Sequence, residues 1–98
     1  MDFADIDPAR VQRLDEAALQ GMTLAVWADL QPDRIAVYDP DGTAHSFGKT
    51  NARANRLVRL FRDRGLVPGD AVALVCSNRV EFVEVLAATL RCGLRLTP

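Results

Sequence analysis

The chain has 98 residues, of which 49% are hydrophobic and 26% are charged, and this balance indicates a globular chain of at most one domain. Its net charge of −1 argues against a nucleic-acid-binding protein, because such proteins usually carry a strong basic excess. Charged residues interrupt the longest apolar run before it reaches membrane-spanning length, and the acidic N-terminus is unlike that of a signal peptide.

The first predicted element is a helix over residues 8–20. Asp7 suits its N-cap, Pro8 suits the first helical position, and Gly21 ends it. Its apolar side consists of Val11, Leu14, Ala18 and, at its edge, Ala17. This stripe is narrow, so we expect the helix to lie on the surface of something larger.

A second, short helix is predicted over residues 24–30. Thr23 can cap its N-terminus, and the helix should end before Pro32, because a residue that precedes proline is disfavoured in the helical region. Trp27 is the largest apolar side chain of the sequence. We interpret it as a core residue, with an aromatic wall of a ligand site as the alternative.

A β-hairpin is predicted next. Residues 35–38 form one strand, the turn Asp39-Pro40-Asp41-Gly42 has proline and glycine where a type I turn favours them, and residues 43–47 form the second strand. His45 has no acidic or cysteine partner at a recognisable spacing, so we expect an exposed hairpin residue rather than a ligand or a base. The acidic residues around this turn lack the twelve-position pattern of a calcium loop.

A long helix is predicted over residues 47–64, with Gly65 as its stop. Its apolar face comprises Phe47, Thr50, Ala54, Leu57, Val58 and Phe61. The remainder is basic and carries Lys49, Arg53, Arg56, Arg59, Arg62 and Arg64. We interpret the basic side as a solvated face, because no aromatic residues alternate with the arginines as a single-strand-binding surface requires; a phosphate- or membrane-binding patch is the alternative.

The last third of the chain is predicted to form a β-α-β unit with parallel strands and a right-handed crossover. Residues 71–76 form an apolar run typical of a strand buried on both faces, and residues 94–97 form the second strand. Between them, Asn78 and Glu81 can cap a helix that Gly93 ends. The apolar side of this helix comprises Phe82, Val85, Leu86, Thr89 and Leu90, and Arg91 follows at the negative end of the dipole.

The elements together predict an α/β fold with N-terminal helices, a β-hairpin, a long helix and one β-α-β unit. We recognise no catalytic constellation and assign no catalytic, cofactor-binding or metal-binding residue. The turn Cys76-Ser77-Asn78-Arg79 has no glycine that would let the backbone close on a pyrophosphate, and Ser77 lacks the glycines of a nucleophile elbow. Glu81 is accounted for by helix capping and Glu84 by solubility, so a pair of catalytic carboxylates is disfavoured.

The two cysteines, Cys76 and Cys92, lie in an apolar strand and at a helix end, without a Cys-x-x-Cys spacing. We interpret both as buried, reduced thiols rather than as a disulfide or a reactive nucleophile. Reduced thiols are typical of the cytoplasm, so we expect a cytoplasmic location.

Several segments together resemble the opening of the adenylate-forming acyl-CoA synthetase superfamily, and most of all its fatty-acid and related acyl-CoA ligases. They are residues 32–37, 46–47, 51–57 and 65–74, then Asn78 with Glu81-Phe82, and residues 93–98. Their order and spacing match the family from Thr23 to the last residue. The sequence departs from the family pattern at two places. Gly48-Lys49-Thr50 differs from the family's usual residues and should weaken the start of the long helix, and Val80 stands where the family frequently has proline.

This resemblance implies a two-step ligase: a carboxylic acid attacks the α-phosphate of Mg-ATP to give an acyl-adenylate and pyrophosphate, and coenzyme A then takes the acyl group. Residues 23–98 would be the matching part of the N-terminal domain, and residues 1–22 a helical extension. The catalytic core and C-terminal domain would follow, so we expect ATP, Mg²⁺ and coenzyme A not to bind this segment. Its partners would be the remainder of the synthetase chain and, in the full enzyme, a small-molecule carboxylic acid.

Two parallel strands and a hairpin leave sheet edges without partners. We therefore expect the isolated chain to be marginally stable or aggregation-prone, inactive, and unable to bind ATP. The alternative is a stand-alone α/β module that binds a partner through its open sheet edge or its arginine-rich helix.

Overall fold

A computed structural model describes residues 7–74 and 79–97 of the chain. The elements in these residues are, in order, α1 (Pro8–Leu19), α2 (Thr23–Leu30), β1 (Ile35–Tyr38), β2 (Ala44–Ser46), α3 (Phe47–Asp63), β3 (Ala71–Ala73), α4 (Val80–Cys92) and β4 (Arg95–Thr97). β1 and β2 form an antiparallel hairpin, and β3 and β4 form a parallel pair. The predicted α/β fold and its order of elements are confirmed.

α1 is a largely exposed helix, as its narrow apolar stripe predicts. The carboxylate of Asp7 accepts a hydrogen bond of 2.9 Å from the N–H of Ala9, so the predicted N-cap is confirmed. Ala17 is the buried residue of this helix, whereas Ala18, predicted on the apolar side, is exposed. Val11, also predicted on the apolar side, is exposed as well, so α1 buries less of its apolar stripe than expected.

The turn between α1 and α2 rests directly on α4. Gly21 has a φ of +69°, and a Cβ added to it would lie 2.7 Å from the carbonyl carbon of Leu90. Only glycine fits this conformation and this close approach. The prediction that Thr23 caps α2 is wrong, because Thr23 is already helical and Met22 occupies the N-cap position without a side-chain hydrogen bond.

The hairpin is closed by the predicted turn and irregular in its first strand. The N–H of Asp39 donates to the carbonyl of Thr43, and the N–H of Gly42 donates to the carbonyl of Asp39, both at 2.9 Å. The strand register shifts between Ile35 and Val37, as in a β-bulge. The second strand ends earlier than predicted, since Phe47 is already helical and the residue before it caps α3.

The start of α3 is held by three contacts. Ser46 Oγ accepts a hydrogen bond of 3.2 Å from the N–H of Lys49, and the hydroxyl of Thr50, a residue 1% exposed, donates to the Ser46 carbonyl at 2.8 Å. The N–H of Gly48 donates to the carbonyl of Pro32 at 2.9 Å, and an added Cβ would lie 3.1 Å from that oxygen. The helix start is thus capped and packed by the residues present, and a weakening relative to the family's usual residues remains a prediction.

β3 and β4 pair in parallel with Val72 opposite Leu96, which confirms the predicted β-α-β unit. Ala71 and Ala73 are exposed, so this part of the strand is not buried on both faces as predicted. Residues 75 and 76, the remainder of the predicted strand, lie outside the described residues. An open two-stranded sheet offers too few neighbours to cover both faces.

α4 begins at Val80, with Arg79 at the N-cap position and no capping hydrogen bond from the Arg79 side chain. The predicted cap Asn78 lies outside the described residues. At the other end Gly93 has a φ of +67°, so the predicted stop in the left-handed conformation is confirmed.

The core lies mainly where α4 packs on α3. Its buried apolar side chains are Ala17, Val26, Ala54, Val58, Val80, Ala87, Ala88 and Leu94. The face that α4 buries matches the predicted one only in part: Thr89 is buried as predicted. Leu86 and Leu90 are exposed, while Ala87 and Ala88 are buried. α4 is apolar on two sides, and the side with small residues allows the closer approach of the two helices.

Candidate functional site

Asp39 and His45 bring the hairpin to the start of α4. Asp39 Oδ2 lies 2.8 Å from His45 Nε2, and Asp39 Oδ1 accepts a hydrogen bond of 2.9 Å from the backbone N–H of Val80. Both side chains are partly buried. The expectation that His45 is an exposed residue without an acidic partner is therefore wrong. The imidazole of His45 and, next, the N–H of Val80 lower the pKa of Asp39 below its usual range, because both stabilise the carboxylate.

An ion pair joins α3 and α4. Arg53 Nε lies 2.9 Å from Glu84 Oε2, and the residue Glu84 is only 3% exposed. Glu84 Oε1 is buried without a hydrogen-bond partner among the described residues. Assigning Glu84 to solubility is wrong, since a buried carboxylate is costly unless it is paired.

A groove of about 440 Å³ lies over this ion pair, between α3 and α4. Glu81 lines it together with Glu84, so the two carboxylates that the sequence places three apart do share one groove. Their surroundings include the guanidinium groups of Arg53 and Arg56. The groove is thus charge-balanced, and one of its carboxylates is engaged in holding the two helices together.

Arg91 supplies a second polar contact between the same helices. Its Nη1 donates to Asn55 Oδ1 at 2.7 Å and its Nη2 donates to Asn51 Oδ1. Burial lowers the pKa of the Arg91 guanidinium from its ordinary value, because desolvation disfavours the charged form. Arg91 therefore packs against α3 rather than only complementing the dipole of its own helix.

Trp27 lies at an open cleft. Its ring stacks on Phe47, with centroids 6.1 Å apart and planes inclined by 28°. Together with Arg34 and Ile35 these rings line a cleft of about 230 Å³. The stacking agrees with the packing role of Trp27, and the alternative, an aromatic wall of a ligand site, remains a prediction.

The basic side of α3 is exposed, in agreement with its interpretation as a solvated face. Apart from Arg53, its cations make no ion pair with another residue in 7–74 or 79–97; they are Lys49, Arg56, Arg59, Arg62 and Arg64. Leu60 is exposed on the same helix.

The remaining candidates show no reactive arrangement in the described part of the chain. Cys92 is a free, partly buried thiol, whereas Cys76 and Ser77 lie outside the described residues. No cluster of three or more His, Cys, Asp or Glu side chains suited to a metal ion occurs in residues 7–74 and 79–97. None of the helices described is both long and apolar enough to cross a membrane.

The missed contacts had partial signals in the sequence. Val80, Glu84, Ala87, Ala88 and Arg91 recur at helical spacing, and this stripe of small and charged residues is the side of α4 that meets α3. The contact of Asp39 with Val80 had no such signal, because the two residues are 41 positions apart.

Comparison with known proteins identifies similar chains. Residues 24–98 match the sequence profile of a family described as AMP-binding enzyme. The 3-oxocholest-4-en-26-oate–CoA ligase of Rhodococcus rhodochrous is 36% identical over 63 residues, which are 64% of this chain and 11% of that protein. The chain thus spans about a tenth of the length of this relative.

Solved structures share the fold of this chain. A Mycobacterium tuberculosis fatty acyl CoA synthetase superposes with a TM-score of 0.73 and 28% identity, over 84% of this chain and 16% of that one. O-succinylbenzoate coenzyme A synthetase of Bacillus subtilis, in complex with ATP and a magnesium ion, gives a TM-score of 0.64 and 27% identity, over 74% of this chain and 20% of that one.

Proposed function

Because this chain belongs to the AMP-binding enzyme family, whose profile matches residues 24–98, we propose that it works as the opening part of an ATP-dependent acyl-CoA ligase. In the first step a carboxylate oxygen attacks the α-phosphorus of ATP and the bond to pyrophosphate breaks. In the second step the thiolate of coenzyme A attacks the acyl carbon and AMP leaves. The acid is proposed to be a fatty or related carboxylic acid, as the names of a relative and of a similar structure suggest.

We assign this segment a scaffolding role in that enzyme. The ion pair, the asparagine contacts and the small-residue packing hold α4 on α3, and α4 carries the parallel pair β3–β4. Mg²⁺ would supply charge neutralisation on the phosphates when ATP binds, and we propose that its protein ligands lie outside residues 7–74 and 79–97. ATP and coenzyme A are likewise proposed to bind outside this segment.

The observation that carries the proposal is the joint match of family profile and fold over most of the chain. Exposed apolar side chains support the scaffolding role. Leu86 and Leu90 on α4 are exposed, and the edges of the β3–β4 pair have no further strand among the described residues. A parallel sheet is normally covered on both faces, so the proposed partner of these surfaces is the remainder of the synthetase.

The test begins with the native protein. Trypsin releases residues 80–91 as one peptide, because it cleaves after Arg79 and Arg91. A size-separated extract of the source cells should show this peptide in a protein several times heavier than 10.8 kDa. The purified protein should release pyrophosphate only when ATP and a carboxylic acid are both present.

A pair of variants of the native protein separates scaffold from substrate-binding residues. Gly21→Ala should lower the amount of active enzyme while leaving KM for ATP and for the acid unchanged. Arg59 is exposed, so Arg59→Ala should change neither the amount of active enzyme nor the two KM values. A KM for ATP raised tenfold by either variant would contradict the scaffolding role. A native product of 10.8 kDa would favour the stand-alone module, with its open sheet edge as the binding surface.

A further inference from the structure

The start of α4 obtains its cap from another part of the chain. The first N–H groups of a helix have no partner within the helix, and a nearby Ser, Thr, Asp or Asn usually accepts from them. At α4 the N-cap residue Arg79 makes no side-chain capping bond. The N–H of Val80 instead donates to Asp39 Oδ1, at 2.9 Å, in the turn of the hairpin.

His45 fixes the carboxylate that provides this cap. Its Nε2 lies 2.8 Å from Asp39 Oδ2, so each oxygen of Asp39 has its own partner. The backbone N–H of Asp39 is also bonded, to the carbonyl of Thr43. The carboxylate is therefore held from both strands of the hairpin while it points at the helix.

We infer that Asp39 is a positioning residue: its carboxylate, oriented by His45, supplies the capping acceptor for the N–H of Val80 in the first turn of α4. The hairpin and this first turn then form one unit, which separates when the carboxylate is protonated or removed. The negative charge also lies at the positive end of the α4 dipole, which favours the ionised form. We call this arrangement the Asp39–His45 clamp.

The charges around the clamp come from three elements. Asp41, in the same turn, repels Asp39, and its own carboxylate accepts from the N–H of Thr43 and is attracted by Arg79 at the start of α4. Glu81 of α4 lines the groove towards α3. Lys49 of α3, the helix that packs on both strands, is exposed. Among these groups, the imidazole of His45 is the one in direct contact with the carboxylate of Asp39.

The clamp should open in acid, and His45 should delay the opening. An ionised Asp39 accepts from Val80 more strongly than a protonated one, since charge-assisted bonds are about twice as strong. Below pH 5 histidine side chains are generally charged, and a cation at Oδ2 keeps the carboxylate ionised to lower pH. Removing that cation should move the opening to higher pH.

The experiment is amide hydrogen exchange by NMR on the full 98-residue chain from pH 3 to 7. The protection factor of the Val80 N–H is divided by that of Val58, a buried residue in α3 that reports global unfolding. In the wild type this ratio should fall on the order of tenfold as the pH drops through the acid range.

The variants separate the parts of the clamp. Asp39→Asn should abolish the acid step in the ratio, because an amide does not ionise. His45→Gln, which keeps a donor but not the charge, should move the midpoint to higher pH. Asp41→Asn, the matched control in the same turn, should leave the ratio within about twofold of the wild type, since surface changes without special contacts have small effects.

Three results would overturn the inference. The first is an unprotected Val80 amide in the wild type, which includes the case of an unfolded wild type. The second is an acid step of the protection ratio that persists in Asp39→Asn. The third is a midpoint of that step that His45→Gln does not move. If Asp39→Asn does not fold, the His45→Gln midpoint decides alone.

Discussion

Replacing Arg53 by alanine tests the buried ion pair between α3 and α4. The change removes the partner of Glu84 Oε2 while Glu84 Oε1 is already without one among the described residues. Glu84 is 3% exposed, so the variant leaves its carboxylate at a buried position without its ionic partner. We expect Arg53→Ala to destabilise the chain, and removal of the carboxylate to reverse that effect.

The magnitude follows from distance and exposure. At 2.9 Å the gross attraction is about 1.4 kcal/mol with the dielectric constant of water and about 6 kcal/mol with an effective value of 20. The side chain of Arg53 is 54% exposed, which places the pair towards the lower figure. A buried acceptor left without a partner costs about 1–3 kcal/mol, and more when it is charged. We therefore expect Arg53→Ala to lose about 2 kcal/mol, or about 8–16 °C in Tm for a chain of this size.

The assay is urea unfolding followed by circular dichroism in sucrose, which favours the compact state. Glu84→Leu should lie within about 1 kcal/mol of the wild type, because replacing a buried ion pair by an apolar residue is often neutral. The double variant should match Glu84→Leu. Arg59→Ala, on the exposed side of the same helix, should change stability by less than about 0.5 kcal/mol. The reasoning fails if Arg53→Ala is as stable as Arg59→Ala, or if Glu84→Leu does not rescue it.

Gly21→Ala should cost about 2–4 kcal/mol in urea unfolding, because the positive φ and the 2.7 Å approach to the Leu90 backbone both exclude a Cβ; unchanged stability would refute the packing of this turn on α4. Gly48→Ala should destabilise by about 1 kcal/mol in the same assay, although alanine favours helices, since its Cβ would lie 3.1 Å from the Pro32 carbonyl oxygen; a stabilised variant would contradict this. The pKa of Asp39 is lowered in the fold by hydrogen bonds, so its contribution is present above the usual carboxyl range and lost as the pH falls through the lowered value. Urea midpoints measured against pH should therefore fall less steeply in acid for Asp39→Asn than for the wild type, and parallel curves would disprove it.

Local signals in the sequence predicted most of the elements. Asp7 with Pro8 places the start of α1 and Gly93 places the end of α4, because caps and stops depend on a few neighbouring residues. The β-turn and the parallel pair were predicted from similarly local patterns. Thr23 shows the limit of such local signals: it is a residue type that suits the N-cap position, yet it is the first residue of α2.

The polar contacts could not be predicted in the same way. Glu84 has an ordinary place in an amphipathic helix, and only the packing of α4 on α3 buries it. His45 seemed to lack a partner because Asp39 meets it across the hairpin turn rather than at a helical spacing. The side of α4 that is buried was also decided by its neighbours, since Leu86 and Ala87 are equally compatible with a helix.

The separation of 41 residues between Asp39 and Val80 also concerns the order of folding. At the start of α3 the N–H of Lys49 donates to the hydroxyl of Ser46, three residues earlier. The first turn of α3 can therefore form from local contacts alone. The N–H of Val80 reaches its acceptor on Asp39 only after a long loop has closed, and loop closure costs entropy before the contact is gained. We therefore expect φ-values near zero for Asp39: its substitution should speed unfolding and leave the refolding rate almost unchanged.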